Sequence, residues 1–147
     1  MAKKVYLAGP FFNDEQLERV DRLEKVLAAH PQIGDVFSPR KHQHDQFELF
    51  SPEWREAAFK SDVDAIDGAD VMVALIDDHD QFVDAGTAWE TGYASAKGVP
   101  VIMIKETAGS VNLMLAMSLK AYLTDIADVA NYDFDKMPNM PYTGDTF

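Results

Sequence analysis

The apolar run at residues 71–76 constrains the fold of this chain more than any other stretch. It reads Val-Met-Val-Ala-Leu-Ile, follows Asp70, and shows none of the polar alternation of a half-exposed strand. A continuously apolar strand is typical of a parallel sheet that is covered by helices on both faces. We therefore predict a buried strand over residues 69–76 and an α/β fold.

Four further segments are predicted as strands, and helical patterns separate them. The predicted strands are Lys3–Ala8, Ile33–Phe37, 69–76, 99–104 and 119–123. The predicted helices are 15–30, 53–67, one that holds Glu90 and ends at Lys97-Gly98, a short one at 112–117 and a weak one at 125–130. On the helix at 53–67, the residues expected to face inward are Trp54, Ala58, Val63 and Ile66. Residues 40–50 have no periodicity and are predicted to form a loop, and residues 131–147 an ordered but irregular tail.

Alternation of strands and helices predicts one doubly wound, five-stranded parallel sheet with right-handed crossovers, in a flavodoxin-like order. Ligands bind such sheets where the strand order reverses, here between the first and third strands. That crevice would bring together Tyr6, Phe11, Asp84 and Glu90.

Composition limits the classes of function. The chain has 147 residues, which fits a single domain over residues 1–147, and 47% of them are hydrophobic. A net charge of −12 argues against binding a nucleic-acid polymer or an anionic membrane. There is no cysteine, which suits a reducing cytoplasm, and no apolar run approaches the ~18 residues of a membrane helix.

The stretch Asp-Ala-Gly-Thr-Ala-Trp-Glu-Thr-Gly-Tyr at residues 84–93 is the leading candidate for a site. Asp84 stands where a helix N-cap is expected, and Glu90 follows among small or apolar neighbours. The positive end of the helix would keep Glu90 ionised, ready to act on a ligand. A capped surface helix with one exposed glutamate explains the same residues, and both interpretations stay open on this stretch alone.

Other motifs point to carboxylate chemistry by elimination. The chain lacks the glycine-rich nucleotide-binding motifs, the Gly-x-Ser-x-Gly elbow and any cysteine nucleophile, and its histidines lack metal spacing. No metal or cofactor is therefore expected. The acidic loop with Asp77, Asp78 and Asp80 is predicted to be flexible and solvated. Asp62 could pair with a second carboxylate at a scissile bond, although a solvated helix face is its simpler explanation.

Several segments taken together resemble the nucleoside 2-deoxyribosyltransferases. They are Val-Tyr-Leu-Ala-Gly-Pro-Phe-Phe-Asn-Asp-Glu-Gln at residues 5–16, Ser61-Asp62, Asp84 with Glu90-x-Gly-Tyr-Ala, Asn112-Leu-Met, and an aromatic last residue, Phe147. The resemblance covers most of the chain, and its Gly-Pro-Phe-Phe start is closer to members restricted to purines.

The resemblance implies a role for each matching residue. Glu90 would be the nucleophile that attacks the anomeric carbon, and Asp62 the acid that protonates the leaving base. Asp84 would bind sugar hydroxyls, Tyr6 would hydrogen-bond the nucleophile, and Gln43 would contact the base.

The remaining substrate-binding residues implied by the resemblance are Phe11, Asn112, Met114 and Phe147. Asn112 would come from a neighbouring subunit and reach the 5′-hydroxyl. The expected substrates are deoxynucleosides and free nucleobases, purine or pyrimidine, and the expected assembly is a hexamer built from dimers that share active sites.

Two other functions compete with this one. A hydrolase of 2′-deoxynucleoside 5′-monophosphates resembles the same fold but needs cationic or hydroxyl groups for the phosphate. A phosphoacceptor receiver domain shares the strand order but needs paired acids after the first strand, which here ends Ala-Gly-Pro.

Overall fold

A computed structural model describes residues 2–78 and 82–147 and contains one five-stranded sheet in this part of the chain. The strands are β1 (Lys3–Ala8), β2 (Ile33–Phe37), β3 (Val71–Leu75), β4 (Val101–Ile104) and β5 (Ala121–Leu123). Their order is β2-β1-β3-β4-β5, and every neighbouring pair is parallel. The predicted α/β class, strand set and flavodoxin-like order are confirmed. The strand order reverses beside β1 and β3, as expected.

Four α-helices connect or flank the strands: α1 (Asp14–Ala29), α2 (Pro52–Asp67), α3 (Ala85–Ala96) and α4 (Leu113–Ser118). Each begins at a side-chain cap, provided by Asn13, Ser51, Asp84 and Asn112 respectively. A polar cap satisfies an amide that has no partner inside the helix, which fixes where each helix starts.

The sheet buries both of its faces. Residues of alternate parity along each strand point to opposite sides, so β1 sends Val5 and Leu7 to one side and Tyr6 and Ala8 to the other. The first side packs against α1 and a 3-10 helix at Ile126–Asn131. The second side packs against residues of α2, α3 and α4. Tyr6 therefore lies under α3.

Three local predictions need adjustment. The predicted loop at residues 40–50 begins within a 3-10 helix at Pro39–Lys41, and the weak helix at 125–130 is 3-10 rather than α. Of the four residues expected to face inward on α2, only Ile66 is fully buried. Helix α2 stands partly away from the sheet, which leaves room for a cavity beside it. None of the described helices is long and apolar enough to cross a bilayer.

The prediction of a solvated acidic loop after β3 is wrong for its first residue, Asp77, whereas Asp78 is exposed. Asp77 is buried, and its Oδ1 accepts hydrogen bonds from the backbone N–H groups of Glu106 and Thr107, both at 2.8 Å. Asp78 accepts a hydrogen bond from the buried Lys105 ammonium at 2.9 Å. These acids tie the ends of β3 and β4 together. Asp80 lies outside the described residues.

Candidate active site

A cavity of about 380 Å³ opens at the predicted crevice. Three segments form its walls: the turn after β1, the loop before α2 with the inner face of α2, and the start of α3. The predicted residues that line it are Phe11, Gln43, Asp62, Asp84 and Glu90. Five of the nine predicted site residues thus share one concave surface, which is the usual form of a small-molecule site.

Glu90 is held by Tyr6 from beneath the cavity. The fully buried phenol of Tyr6 on β1 donates a hydrogen bond to Glu90 Oε2 on α3. Burial, together with the charge of Glu90, raises the pKa of Tyr6 above its usual range, so the phenol stays a donor. The strand parity of β1 and the position of α3 over that face create this contact.

The expectation that the helix end would keep Glu90 ionised is wrong. The pKa of Glu90 is raised to about 7, chiefly by burial and also by the charges of Asp62 and Asp84, whereas the Tyr6 hydrogen bond lowers it. Glu90 lies in the second turn of α3, whereas the helix dipole acts on the first turn. A carboxyl of this kind changes its charge near neutral pH.

Asp62 is part of the cavity wall, and the solvated helix face proposed as its simpler explanation is wrong. Its side chain is half-buried, and burial raises its pKa to about 6. The charge of His44 acts in the opposite direction and lowers that pKa. A carboxyl that still holds its proton near pH 6 can act as a general acid under mild conditions.

Asp84 has a structural task as well as a place in the cavity. Its Oδ2 accepts hydrogen bonds from the Thr87 backbone N–H at 2.9 Å and the Thr87 hydroxyl at 3.0 Å. These bonds cap α3 with one carboxylate oxygen. The second oxygen remains for a ligand hydroxyl.

Gln43 lies in the loop before α2, and aromatic side chains that the sequence analysis did not assign to the site surround it. Trp54 Nε1 donates a hydrogen bond to the Gln43 carbonyl at 2.8 Å, and Phe50 packs edge-on against Trp54 at 5.2 Å between ring centroids. Phe50 and Trp54 line the cavity, as do His42 and Leu49. These residues cluster around the start of α2, and that clustering could have indicated a site. Because the segment has no periodicity, however, the sequence does not show which of its side chains face the cavity.

Asn112, Met114 and Phe147 lie elsewhere in this chain. They line a second cavity of about 550 Å³, between α3, α4 and the C-terminus. The backbone N–H of Leu113 donates to the Phe147 carbonyl at 2.9 Å, which holds the last residue beside the start of α4. The predicted site residues therefore fall into two groups in a single chain.

The described residues contain no group of three or more histidine, aspartate or glutamate side chains arranged to hold a metal ion. The first cavity brings Glu90 and Asp62 together, and the hydroxyl of Tyr6 contacts Glu90. Two carboxyls with raised pKa values, one of them held by a phenol, suit nucleophilic attack and proton transfer at one bond.

Comparison with known proteins identifies the family. The family model for nucleoside 2-deoxyribosyltransferase matches residues 5–140. A nucleoside deoxyribosyltransferase of Limosilactobacillus fermentum is 31% identical, over 95% of this chain and 90% of that protein. The solved structure of a 2-deoxyribosyltransferase from Bacillus psychrosaccharolyticus is 45% identical, with a TM-score of 0.87 over 95% of this chain and 99% of that one.

A more distant solved structure is a CMP N-glycosidase of Clostridium botulinum. It is 27% identical, with a TM-score of 0.50 over 72% of this chain and 75% of that one. The nearer relatives described above are transferases. The chain is therefore a transferase and belongs to the nucleoside 2-deoxyribosyltransferase family.

Proposed function

We propose that the enzyme moves a 2-deoxyribosyl group from one nucleobase to another by a retaining double displacement, in cytoplasmic nucleoside salvage. The observation that carries this proposal is the meeting of Glu90 and Asp62 at one cavity, with Tyr6 bonded to Glu90. No cofactor is required by the steps that follow.

In the first displacement a Glu90 oxygen attacks the anomeric carbon while the bond from that carbon to the base nitrogen breaks. The electron pair of that bond goes to the base, and the Asp62 carboxyl gives the base its proton. The product is a glycosyl ester on Glu90. The transition state resembles an oxocarbenium ion, which the Glu90 carboxylate stabilises.

In the second displacement the ionised Asp62 takes a proton from the incoming base. The base nitrogen attacks the same carbon, and the ester bond breaks to return the Glu90 carboxylate. Two displacements at one carbon give net retention of configuration. Splitting one hard exchange into two easier steps is the advantage of a covalent intermediate.

We further propose that active sites are shared between subunits of a homo-oligomer, a hexamer built from dimers. Near the second cavity the chain exposes a group of large apolar side chains, Leu113, Met114, Met117 and Phe147, which are 50–77% exposed. A cluster of this kind marks a contact surface. Asn112 Oδ1 accepts a hydrogen bond from the Met114 N–H at 2.9 Å, which fixes the orientation of the amide.

The direct test is to trap the intermediate. Wild-type enzyme mixed with a deoxynucleoside and no acceptor should gain a deoxyribosyl group on Glu90, which peptide mass spectrometry would locate. Glu90→Ala should lose transfer and the adduct while keeping its fold. Glu56→Ala, which removes an exposed glutamate of α2, is the matched control. An adduct on another residue, or full activity in Glu90→Ala, would overturn the proposal.

The hydrolase of deoxynucleoside monophosphates remains the competing function because of the glycosidase neighbour. No lysine or arginine lines the first cavity within the described ranges, so a phosphate would find no cation there. Incubation with deoxyinosine and with its 5′-monophosphate, each with and without adenine, separates the two. A transferase makes deoxyadenosine from deoxyinosine only with adenine, whereas the hydrolase releases hypoxanthine from the monophosphate equally with and without adenine.

A further inference from the structure

His44 has an unusual backbone and a buried ring nitrogen. Its φ is +54°, in the left-handed region that residues other than glycine rarely adopt. Its carbonyl accepts a hydrogen bond from the Phe47 N–H at 3.1 Å, which closes a turn in the loop before α2. Backbone strain of this kind persists where the surroundings demand it.

The Nε2 atom of the His44 ring is buried, and no described residue forms a hydrogen bond with it. A buried polar atom without a partner costs about 1–3 kcal/mol. The strained turn thus holds a ring nitrogen where the resting protein leaves it unsatisfied. Such an atom is expected to gain a partner at another stage of the reaction.

Asp62 is the candidate for that partner. The preceding residues His42 and Gln43 line the cavity with Asp62, and His44 follows them in the same loop. It is close enough for its charge to lower the pKa of Asp62. Asp62 itself has no hydrogen-bond partner among the residues that the structure describes.

We propose that His44 is a positioning residue for Asp62, whose ionised carboxylate it hydrogen-bonds through Nε2–H between the two displacements. This inference rests on the proposed function. When the first base departs with the Asp62 proton, Asp62 becomes an anion in a half-buried wall. A donor held in place by the strained turn stabilises that anion until the incoming base gives it a proton.

Other titratable groups lie around the cavity that Asp62 lines. Tyr6 on β1, and Glu90 and Asp84 at α3, lie on the far side of the cavity from α2, and each is neutral or anionic. Asp45 and Glu48 flank His44 on its own loop and are exposed. Among these groups, His44 is the one whose charge favours the ionised form of Asp62.

The test separates the two half-reactions by rapid quench. Base release from deoxyadenosine without acceptor measures the first, and discharge of the isolated glycosyl-enzyme to an added base measures the second. His44→Phe should release base about tenfold more slowly, the loss of ~1.4 kcal/mol at the step that forms the Asp62 anion, but discharge within about threefold of wild type. His44→Gln, whose amide nitrogen reaches the position of Nε2, should restore most of the release rate.

The pH profile gives a readout that a purely structural role would not move. Without His44, Asp62 should keep its proton to higher pH. Because its pKa is the lower of the pair, the apparent pKa of the acidic limb of base release should rise in His44→Phe, without a matching change in its thermal melting. His44→Asn suits a left-handed backbone but is too short to reach Asp62, so it should match His44→Phe even if the latter folds poorly.

Equal slowing of both half-reactions, or an unchanged apparent pKa of the acidic limb, would overturn the role of His44. Asp62→Asn measured in parallel keeps this result distinct from failure of the proposed function. An impaired Asp62→Asn beside a wild-type His44→Phe removes the inference about His44 alone. A fully active Asp62→Asn removes the acid–base role of Asp62, and the inference with it.

Discussion

The Tyr6 phenol and the Glu90 carboxylate form a hydrogen bond between residues 84 positions apart in the sequence. One group comes from the edge of β1 and the other from the second turn of α3. The bond orients the proposed nucleophile and partly offsets the effect of burial, which raises its pKa to about 7. The pKa of Glu90 is thus lowered by a phenol that itself keeps its proton at neutral pH.

The pH dependence of base release should be bell-shaped. Productive attack needs an ionised Glu90 and a protonated Asp62, so the pair must hold one proton, and that form is most abundant between about pH 6 and 7. Tyr6→Phe removes a bond that lowers the pKa of Glu90, and because that pKa is the higher of the two, the apparent pKa of the alkaline limb should rise, with a rate loss of about tenfold. Base release by stopped-flow absorbance measures both; an unchanged apparent pKa of the alkaline limb would contradict this reading.

Glu90→Gln should be more stable than wild type at alkaline pH. Because the pKa of Glu90 is raised from 4.5 to about 7 in the folded protein, ionised Glu90 opposes folding above pH 7. The variant should gain up to about 3 kcal/mol of unfolding free energy at pH 8, and the gain should vanish at pH 4, where the carboxyl is protonated in both states. Urea unfolding at both pH values, with Glu56→Gln as the exposed control, checks the sign.

Asp62→Asn should lose more rate with poor leaving bases than with activated ones. A base that leaves easily as an anion needs no proton, whereas adenine and hypoxanthine do. Base release from deoxyadenosine and from a deoxynucleoside with an electron-poor base gives the comparison. Equal losses would mean that Asp62 only shapes the cavity.

Two inactive variants should complement each other if sites are shared. A Glu90→Ala chain that is unfolded and reassembled with an Asn112→Ala chain should regain part of the wild-type activity, since some sites would then hold both intact side chains. Native mass spectrometry of differently tagged chains verifies the exchange. A mixture that exchanges subunits yet stays inactive would place Asn112 outside the site.

The enzyme should prefer deoxynucleosides to ribonucleosides. A 2′-hydroxyl withdraws electrons from the anomeric carbon and destabilises the oxocarbenium-like transition state. We expect a preference of at least ~1.4 kcal/mol, about tenfold in kcat/KM. Deoxyadenosine and adenosine compared as donors to one acceptor measure it, and faster transfer from adenosine would show that a group such as Asp84 binds the 2′-hydroxyl.

The architecture could be predicted from the sequence because its determinants are local. The apolar run of β3, the alternation of strands with helices and the cap at Asp84 each specify an element from neighbouring residues. Parallel pairing and right-handed crossovers then leave few arrangements, and the strand order follows. The crevice that holds Phe11, Asp84 and Glu90 could be located for the same reason.

Only the tertiary structure shows which carboxyls of the site are desolvated and which of the predicted residues share the cavity. The sequence left Asp62 on a solvated helix and Glu90 ionised, whereas packing of α2 and α3 against β1 buries both and raises their pKa values. Burial of a carboxylate depends on segments that are distant in the chain. The sequence pattern around Asp62 does not indicate which segments those are. The amino-acid sequence determined which acids are present and which edge of the sheet they reach; only the folded chain decided which are desolvated and which, with Asn112, face another surface.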